Sequence, residues 1–366
     1  MIIKDIISIL ETIAPASLQE DYDNTGLITG NATNDCLGVL ISLDCTEAVV
    51  QEAIDHKCNL IIAHHPIIFS GLKKINGKNY IERTIIKAIK NDIAIYGIHT
   101  NLDNILEGVN GKIANKIGLR NTKILLPKES RLKKLITFAP AQMAEKVREA
   151  IFSADGGNIG KYSECSFTTK GTSTFKPGEE TNPTIGKKGK RENINELKME
   201  FIFEEQYESR IIAAMKAAHK YEEVAYDIIP LGNYLSDKGS GLIGETAEHT
   251  DAATFLAAVQ KTFNIPCIKH SPFTAKKIKK VAVCGGAGSF LLQKAIAEGA
   301  DIFLTSDIKY HEFFDADGKI IFADIGHYES EQFTIDLLFD LLREKFPNFA
   351  LLKTGVNTNP VQYFGR

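Results

Sequence analysis

The 366-residue sequence contains no C-x-x-C pair. Its six cysteines, Cys36, Cys45, Cys58, Cys165, Cys267 and Cys284, stand alone, which argues against a zinc knuckle or a thioredoxin-type motif. Most lie in apolar runs, where reduced thiols behave as small hydrophobes. No uninterrupted apolar stretch reaches the roughly 18 residues of a membrane span. There is little charge imbalance. A formal net charge of -3 leaves no footprint for nucleic acid or an anionic membrane. The opening segment MIIKDIISILETIAP is broken by Lys4, Asp5 and Glu11, and no small-residue cleavage site follows. It therefore reads as an amphipathic helix rather than a signal peptide. A reducing cytoplasm is the expected location.

What remains is ordinary globular material, 44% hydrophobic and 24% charged, long enough for two or three domains. Three regions are expected: 1–128, 129–231 and 232–366. In the first, CLGVLISLD and NLIIAHHPIIF are short, β-branched and apolar. TEAVVQEAIDHKC between them has apolar residues at helical spacing. That β-α-β pattern implies a parallel sheet covered on both faces. A helix over Tyr80–Asn91, the strand AIYGIHT and a further helix continue the alternation. The last region repeats it with KKVAVCGG, SFLLQKAIAEGA, DIFLTSD and KIIFADIGH, then one helix over YESEQFTIDLLFDLLREKF.

The two regions correspond in order. Each has a strand ending in polar residues and a later strand ending in His, with an acid four positions on: His99 and Asp103, His327 and Glu331. Internal duplication explains this, as does the general likeness of α/β units. The expected fold is α/β, with two similar lobes forming a metal-binding cleft. The middle region reads strand, helix, strand, strand, helix, strand. This βαββαβ order resembles a ferredoxin-like α+β domain, inserted between the lobes. Its stretch KPGEETNPTIGKKGKREN is a long polar loop.

Chemistry-bearing residues collect at predicted strand ends, where open α/β sheets bind ligands. His64 and His65 close the strand NLIIA. Neighbouring strand side chains diverge, so the pair serves one ion only if the chain turns at Pro66, and two ions more readily. A surface pair without a ligand is the plain alternative. Asp103 is either a ligand or a first-turn acid favoured by the helix dipole. His327 and Glu331 share a helix face at four-residue spacing, as ligands or as a hydrogen-bonded pair. Three imidazoles and two carboxylates suit Zn, Mn or Fe better than Ca. Five donors exceed what one four-coordinate catalytic zinc needs, and suit two metals sharing a carboxylate. Cys284-Gly285-Gly286-Ala287-Gly288-Ser289 is either a tight turn or a phosphate cradle. It lacks the P-loop Lys and the dinucleotide spacing.

Six ordered motifs carry a resemblance over essentially the whole chain: Tyr22-Asp23-Asn24-Thr25-Gly26-Leu27, IIAHHP, HTNLD, CGGAGS, TSDIKYH and DIGHYESE. The chain resembles the NIF-three-like dinuclear-metal proteins, labelled GTP cyclohydrolase I type 2 homologues. The resemblance implies two divalent metal ions per subunit, held by His64, His65, Asp103, His327 and Glu331, with Glu331 as the bridge. It implies a middle domain resembling the PII and CutA proteins, and a homohexamer built from trimers and dimers. His99, Asp307, Lys309, Tyr310 and His311 are implied cleft residues. Of these, His99, Lys309 and His311 are the expected catalytic groups, orienting a bound group, meeting an anion or moving a proton. Two positions depart from the family: Tyr22 stands where Trp is usual, in a chain without tryptophan, and Ser306 where Gly is usual. The expected function is a metal-dependent hydrolase of a nucleotide or phosphorylated small molecule. The alternative is a non-enzymatic metal-dependent sensor or scaffold that binds a ligand or partner through the inserted domain.

Overall fold

The computed structural model describes residues 1–128, 132–274 and 277–364. Glu129, where the middle region was expected to begin, lies outside the described residues. Among the described residues the fold is mixed α/β with three sheets. The chain divides into two compact units, Met1–Lys128 with Ser236–Arg366, and Glu129–Leu235.

The first unit holds two sheets. The five-stranded sheet runs in the order Gly26–Thr29, Ala94–Gly97, Leu60–Ala63, Val39–Ser42, Leu351–Lys353. Its inner strands pair in parallel, Val39 beside Leu60 and Leu60 beside Ala94. Each of these three inner strands is buried at all four positions, as a parallel strand covered on both faces requires. The six-stranded sheet runs Lys269–His270, Ile321–Asp324, Ile302–Thr305, Ile278–Val283, Gly239–Thr250, Arg120–Pro127. Its three central strands are again parallel.

Alternation along the strands sorts the core. Val39, Ile41, Leu60, Ile62 and Tyr96 join Val281, Val283, Ile302, Leu304 and Ile321 in one cluster. The intervening residues, such as Leu40, Ile61 and Ile95, pack separately on the opposite face, as do Ala282, Phe303 and Phe322. One face of each sheet thus contributes to a shared core, together with residues of the helices Ile3–Ile13, Val109–Lys116, Ala252–Phe263 and Thr334–Lys345. Sheet membership crosses the two sequence regions. Arg120–Pro127 pairs with Gly239–Thr250, and Leu351–Lys353 with Val39–Ser42.

The long helix expected after His327 is two helices, His327–Glu331 and Thr334–Lys345. The Gln332 amide donates to the carbonyls of Glu329 and Phe263. A side chain thereby occupies the Glu329 carbonyl where the break falls, competing with the helical ladder. The break frees the short helix to aim His327 and Glu331 independently of the longer one.

The second unit has its own core. Its strands Leu132–Ala139, Phe167–Phe175, Glu192–Glu204 and Tyr226–Pro230 form one antiparallel sheet in the order second, third, first, fourth. Helices Ala141–Ser153 and Glu208–Ala218 bury Val147, Ile151, Ile211 and Met215 against Leu135, Met199, Phe201 and Phe203.

Candidate metal centre

Four imidazoles converge at strand ends of the first unit. His64 and His65 follow the strand Leu60–Ala63, His99 follows Ala94–Gly97, and His327 begins its short helix after Ile321–Asp324. Adjacent ring centroids lie 4.9 to 5.3 Å apart.

Each ring has its Nδ1 against an oxygen. For His64 it is the Ile98 carbonyl at 2.8 Å. For His65 it is Asp44 at 2.8 Å, for His99 Asp23 at 2.9 Å, and for His327 Asp307 at 2.6 Å. Carbonyls and ionised carboxylates only accept, so each Nδ1 carries the proton. This is how metal-binding imidazoles are normally held, with one ring nitrogen anchored and the other directed at the ion.

Glu331 divides the Nε2 atoms into two groups. Its Oε2 lies 3.0 Å from His65 Nε2 and 3.1 Å from His327 Nε2. Its Oε1 faces His64 Nε2 at 3.9 Å, which in turn lies 3.6 Å from Asp103 Oδ1. His64 Nε2 and Asp103 Oδ1 are buried and have no hydrogen-bond partner. Such orphans cost free energy unless a further group satisfies both. Nε2 of His65 and of His327 are themselves only 3.3 Å apart. Nitrogen and oxygen donors aimed inward, two of them orphaned, fit a divalent cation. His64, His65 and His99 form one group able to hold a metal ion, and His65, His327 and Glu331 another.

The charge pattern is consistent. Burial opposes ionisation of Glu331, but His327, His64 and His65 hold its carboxyl well below the usual range. Asp103 goes the other way. Burial, then the Glu331 charge, push its carboxyl well above the usual range. Burial lowers His64 to about 4, so its ring is neutral. Burial also opposes charge on His65 and His327, yet Asp44 with Glu331 raises the first to about 10. Glu331 with Asp307 raises the second to about 11. The side-chain exposure runs from 0% at His64 to 38% at His327, so the cluster opens to solvent on the His327 side.

The glycine loop after Ile278–Val283 is a packing turn. The N–H groups of Gly285, Gly286 and Gly288 donate to Asn110, Ser330 and Thr305 side chains. They are not free to cradle a phosphate. Gly286 has φ +61°, and a Cβ there would collide with Glu331 Oε1. The absent side chain leaves room for that carboxylate. Buried Ser306 donates its hydroxyl to the Gly286 carbonyl at 2.6 Å.

His64, His65, Asp103, His327 and Glu331 are thus brought together, with His99 beside them. Lys309 and His311 are exposed. The His311 ring lies against Tyr310 and Phe314, and the Lys309 N–H donates to Glu312. Among the described residues neither bonds to the five donors. Sequence reading missed Asp44 altogether, and the parts of Asp23 and Asp307 as imidazole anchors. Asp44 ends CLGVLISLD, so the strand-end logic that found His64 applied to it too.

Residues 1–360 match the family described as Duf34/NIF3 (NGG1p interacting factor 3). A Halalkalibacterium halodurans protein named GTP cyclohydrolase 1 type 2 homolog is 40% identical over 364 residues, covering 98% of both chains. Its Bacillus subtilis namesake is 36% identical over 327 residues, covering 89% of this chain and 88% of the relative. The crystal structure of a Bacillus cereus protein related to NIF3 superposes with a TM-score of 0.85 at 37% identity, covering 100% of this chain and 99% of the other. By this match over nearly its full length, the chain belongs to the Duf34/NIF3 family.

Proposed function

We propose that the chain holds two divalent metal ions, with His64 and Asp103 on one, His65 and His327 on the other, and Glu331 between them. The observation that carries this is the division of the Glu331 oxygens between two donor groups, one of them orphaned. The donor set favours Zn, Mn or Fe. Such a pair lowers the pKa of water and stabilises negative charge on a carbonyl or phosphoryl oxygen. The protein then acts as a metal-dependent hydrolase on a nucleotide or phosphorylated small molecule. Ring opening of GTP is the first reaction to try, because the relatives carry that name.

The chain's own residues have separate tasks in this reading. Asp44, Asp307 and the Ile98 carbonyl fix ring orientation, so that the Nε2 lone pairs point inward. Asp23 does the same for His99, whose Nε2 is left to exchange a proton with substrate. Lys309 and His311, on the exposed segment following Asp307, meet the anionic part of the substrate. Screening nucleotides and phosphoesters for turnover tests the enzyme reading. Turnover abolished by both His65→Ala and Glu331→Ala supports it.

The second reading is a metal-dependent sensor or scaffold. The second unit favours it, because that unit contains a cavity of ≈ 250 Å³ whose lining includes Phe175, Pro177, Pro183, Ile185, Tyr221 and Glu222. Its strand–helix order supports a ferredoxin-like insert. Tight binding without turnover, lost on Tyr221→Ala, separates this reading from the first. The proposed homohexamer is tested by light scattering of the purified chain.

A further inference from the structure

Beyond the five donors, a segment far from them in sequence reaches the site. Leu351–Lys353 runs parallel to Val39–Ile41, so both chains leave the sheet at the same end. Asp44 follows the one and Thr354–Phe364 the other. The Thr354 N–H continues the pairing onto the Ile41 carbonyl, and the Gly355 N–H donates to Glu52 at 2.8 Å. Asx-type bonds from Asn359 N–H to the Asn357 side chain, and from Val361 N–H to the Asn359 side chain, then set the path.

Two contacts follow. The Thr358 hydroxyl donates to Asp44 Oδ2 at 2.6 Å, while Asp44 Oδ1 holds His65 Nδ1. The neighbouring Asn359 amide donates to Glu329 Oε1 at 3.1 Å, and the Tyr363 hydroxyl to the same oxygen at 3.3 Å. Glu329 is buried and lies on the short helix between His327 and Glu331. Consecutive residues of one segment therefore grip the anchor of His65 and the helix that carries the two donors facing it.

We propose that Thr358 and Asn359 are positioning residues of the metal centre, fastening the Asp44–His65 pair to the helix of His327 and Glu331. This rests on the two-metal reading. The strap sets the spacing between ligands that come from opposite parts of the chain. Thr358 also leaves Asp44 one ordered oxygen for the imidazole, because the other is taken.

The test measures Zn²⁺ affinity of the full chain by chelator competition, for wild type, Thr358→Val, Thr358→Ser and Asp44→Asn. Outer partners of metal ligands are worth roughly 10–100-fold in affinity. Thr358 acts through Asp44, so Thr358→Val is expected at the low end of that range, about tenfold. Thr358→Ser keeps the hydroxyl and is expected to restore wild-type affinity. In an Asp44→Asn background Thr358→Val is expected to add little, since the two act in series. Thr358→Val with wild-type affinity overturns the proposal. So do a Ser variant as weak as the Val variant, and fully additive losses in the double mutant. If Val misfits sterically, Thr358→Ala removes the hydroxyl without it. A wild-type chain that binds no Zn²⁺ overturns the metal centre itself, an outcome distinct from intact binding with an indifferent Thr358.

Discussion

His65 Nε2 and Glu331 Oε2 lie 3.0 Å apart although 266 positions separate them in the chain. His65 belongs to an end of the five-stranded sheet, and Glu331 to a helix that follows the six-stranded one. The site therefore exists only when both sheets are formed around their common core. Replacing Glu331 removes the one group that both donor sets face. Glu331→Gln keeps the shape but loses the charge that faces the His65 and His327 rings. We expect its metal affinity to fall by more than the roughly 10–100-fold cost of an outer partner. Isothermal titration with Zn²⁺ or Mn²⁺ reads this directly.

Asp44 and Asp307 each hold one imidazole by its Nδ1. Asp44→Asn and Asp307→Asn are expected to weaken metal binding about 10–100-fold while leaving the circular dichroism spectrum unchanged. Asp44→Asn should have the larger effect, because Asp44 is the less exposed of the two. Equal and negligible effects would show that the anchors are incidental.

Metal uptake should release protons. In the metal-free protein His65 is raised to about 10 and His327 to about 11. At pH 8 both rings carry protons that a cation must displace, so affinity rises with pH up to those values. His64, lowered to about 4, stays neutral throughout. Titration in two buffers of different ionisation enthalpy counts the released protons. The same shifts act on the metal-free fold with the opposite slope. Groups raised on folding stabilise fully below their ordinary value of 6.5, and that contribution fades as pH climbs toward 10–11. Urea melts of metal-free protein at pH 6.5 and pH 9.5 check this.

Gly286 and Gly299 offer a controlled pair. Both have positive φ, +61° and +73°, but a Cβ meets Glu331 at the first and open space at the second. Gly286→Ala and Gly299→Ala should each cost about 1–2 kcal/mol of stability from backbone strain. Only Gly286→Ala should also weaken metal binding. Thermal melts with paired affinity measurements distinguish strain from displacement of the carboxylate.

The sequence showed parts of this site more clearly than others. His64-His65 and His327 with Glu331 were legible because each pair is local, and a β-strand end or a helical i, i+4 step places it. The parallel strands were legible because double burial leaves continuous apolar runs such as NLIIA. The break at Gln332–Phe333 was not, because apolar spacing continues across it and the cause is one side-chain amide that takes the Glu329 carbonyl as well as that of Phe263. Leu351–Lys353 is three residues long, too short for periodicity to mark, yet it delivers Thr358 to Asp44. Pairings such as Asp307 with His327 depend on which strand ends become neighbours, and spacing along one chain does not encode that.

Metal content per chain is the most direct test. The full chain is loaded with Zn²⁺ or Mn²⁺, dialysed, and analysed by inductively coupled plasma mass spectrometry beside His65→Ala and Glu331→Ala. The account predicts two equivalents in wild type, at most one in His65→Ala and fewer than one in Glu331→Ala. Substoichiometric metal in folded wild-type protein, or two equivalents retained by Glu331→Ala, contradicts it.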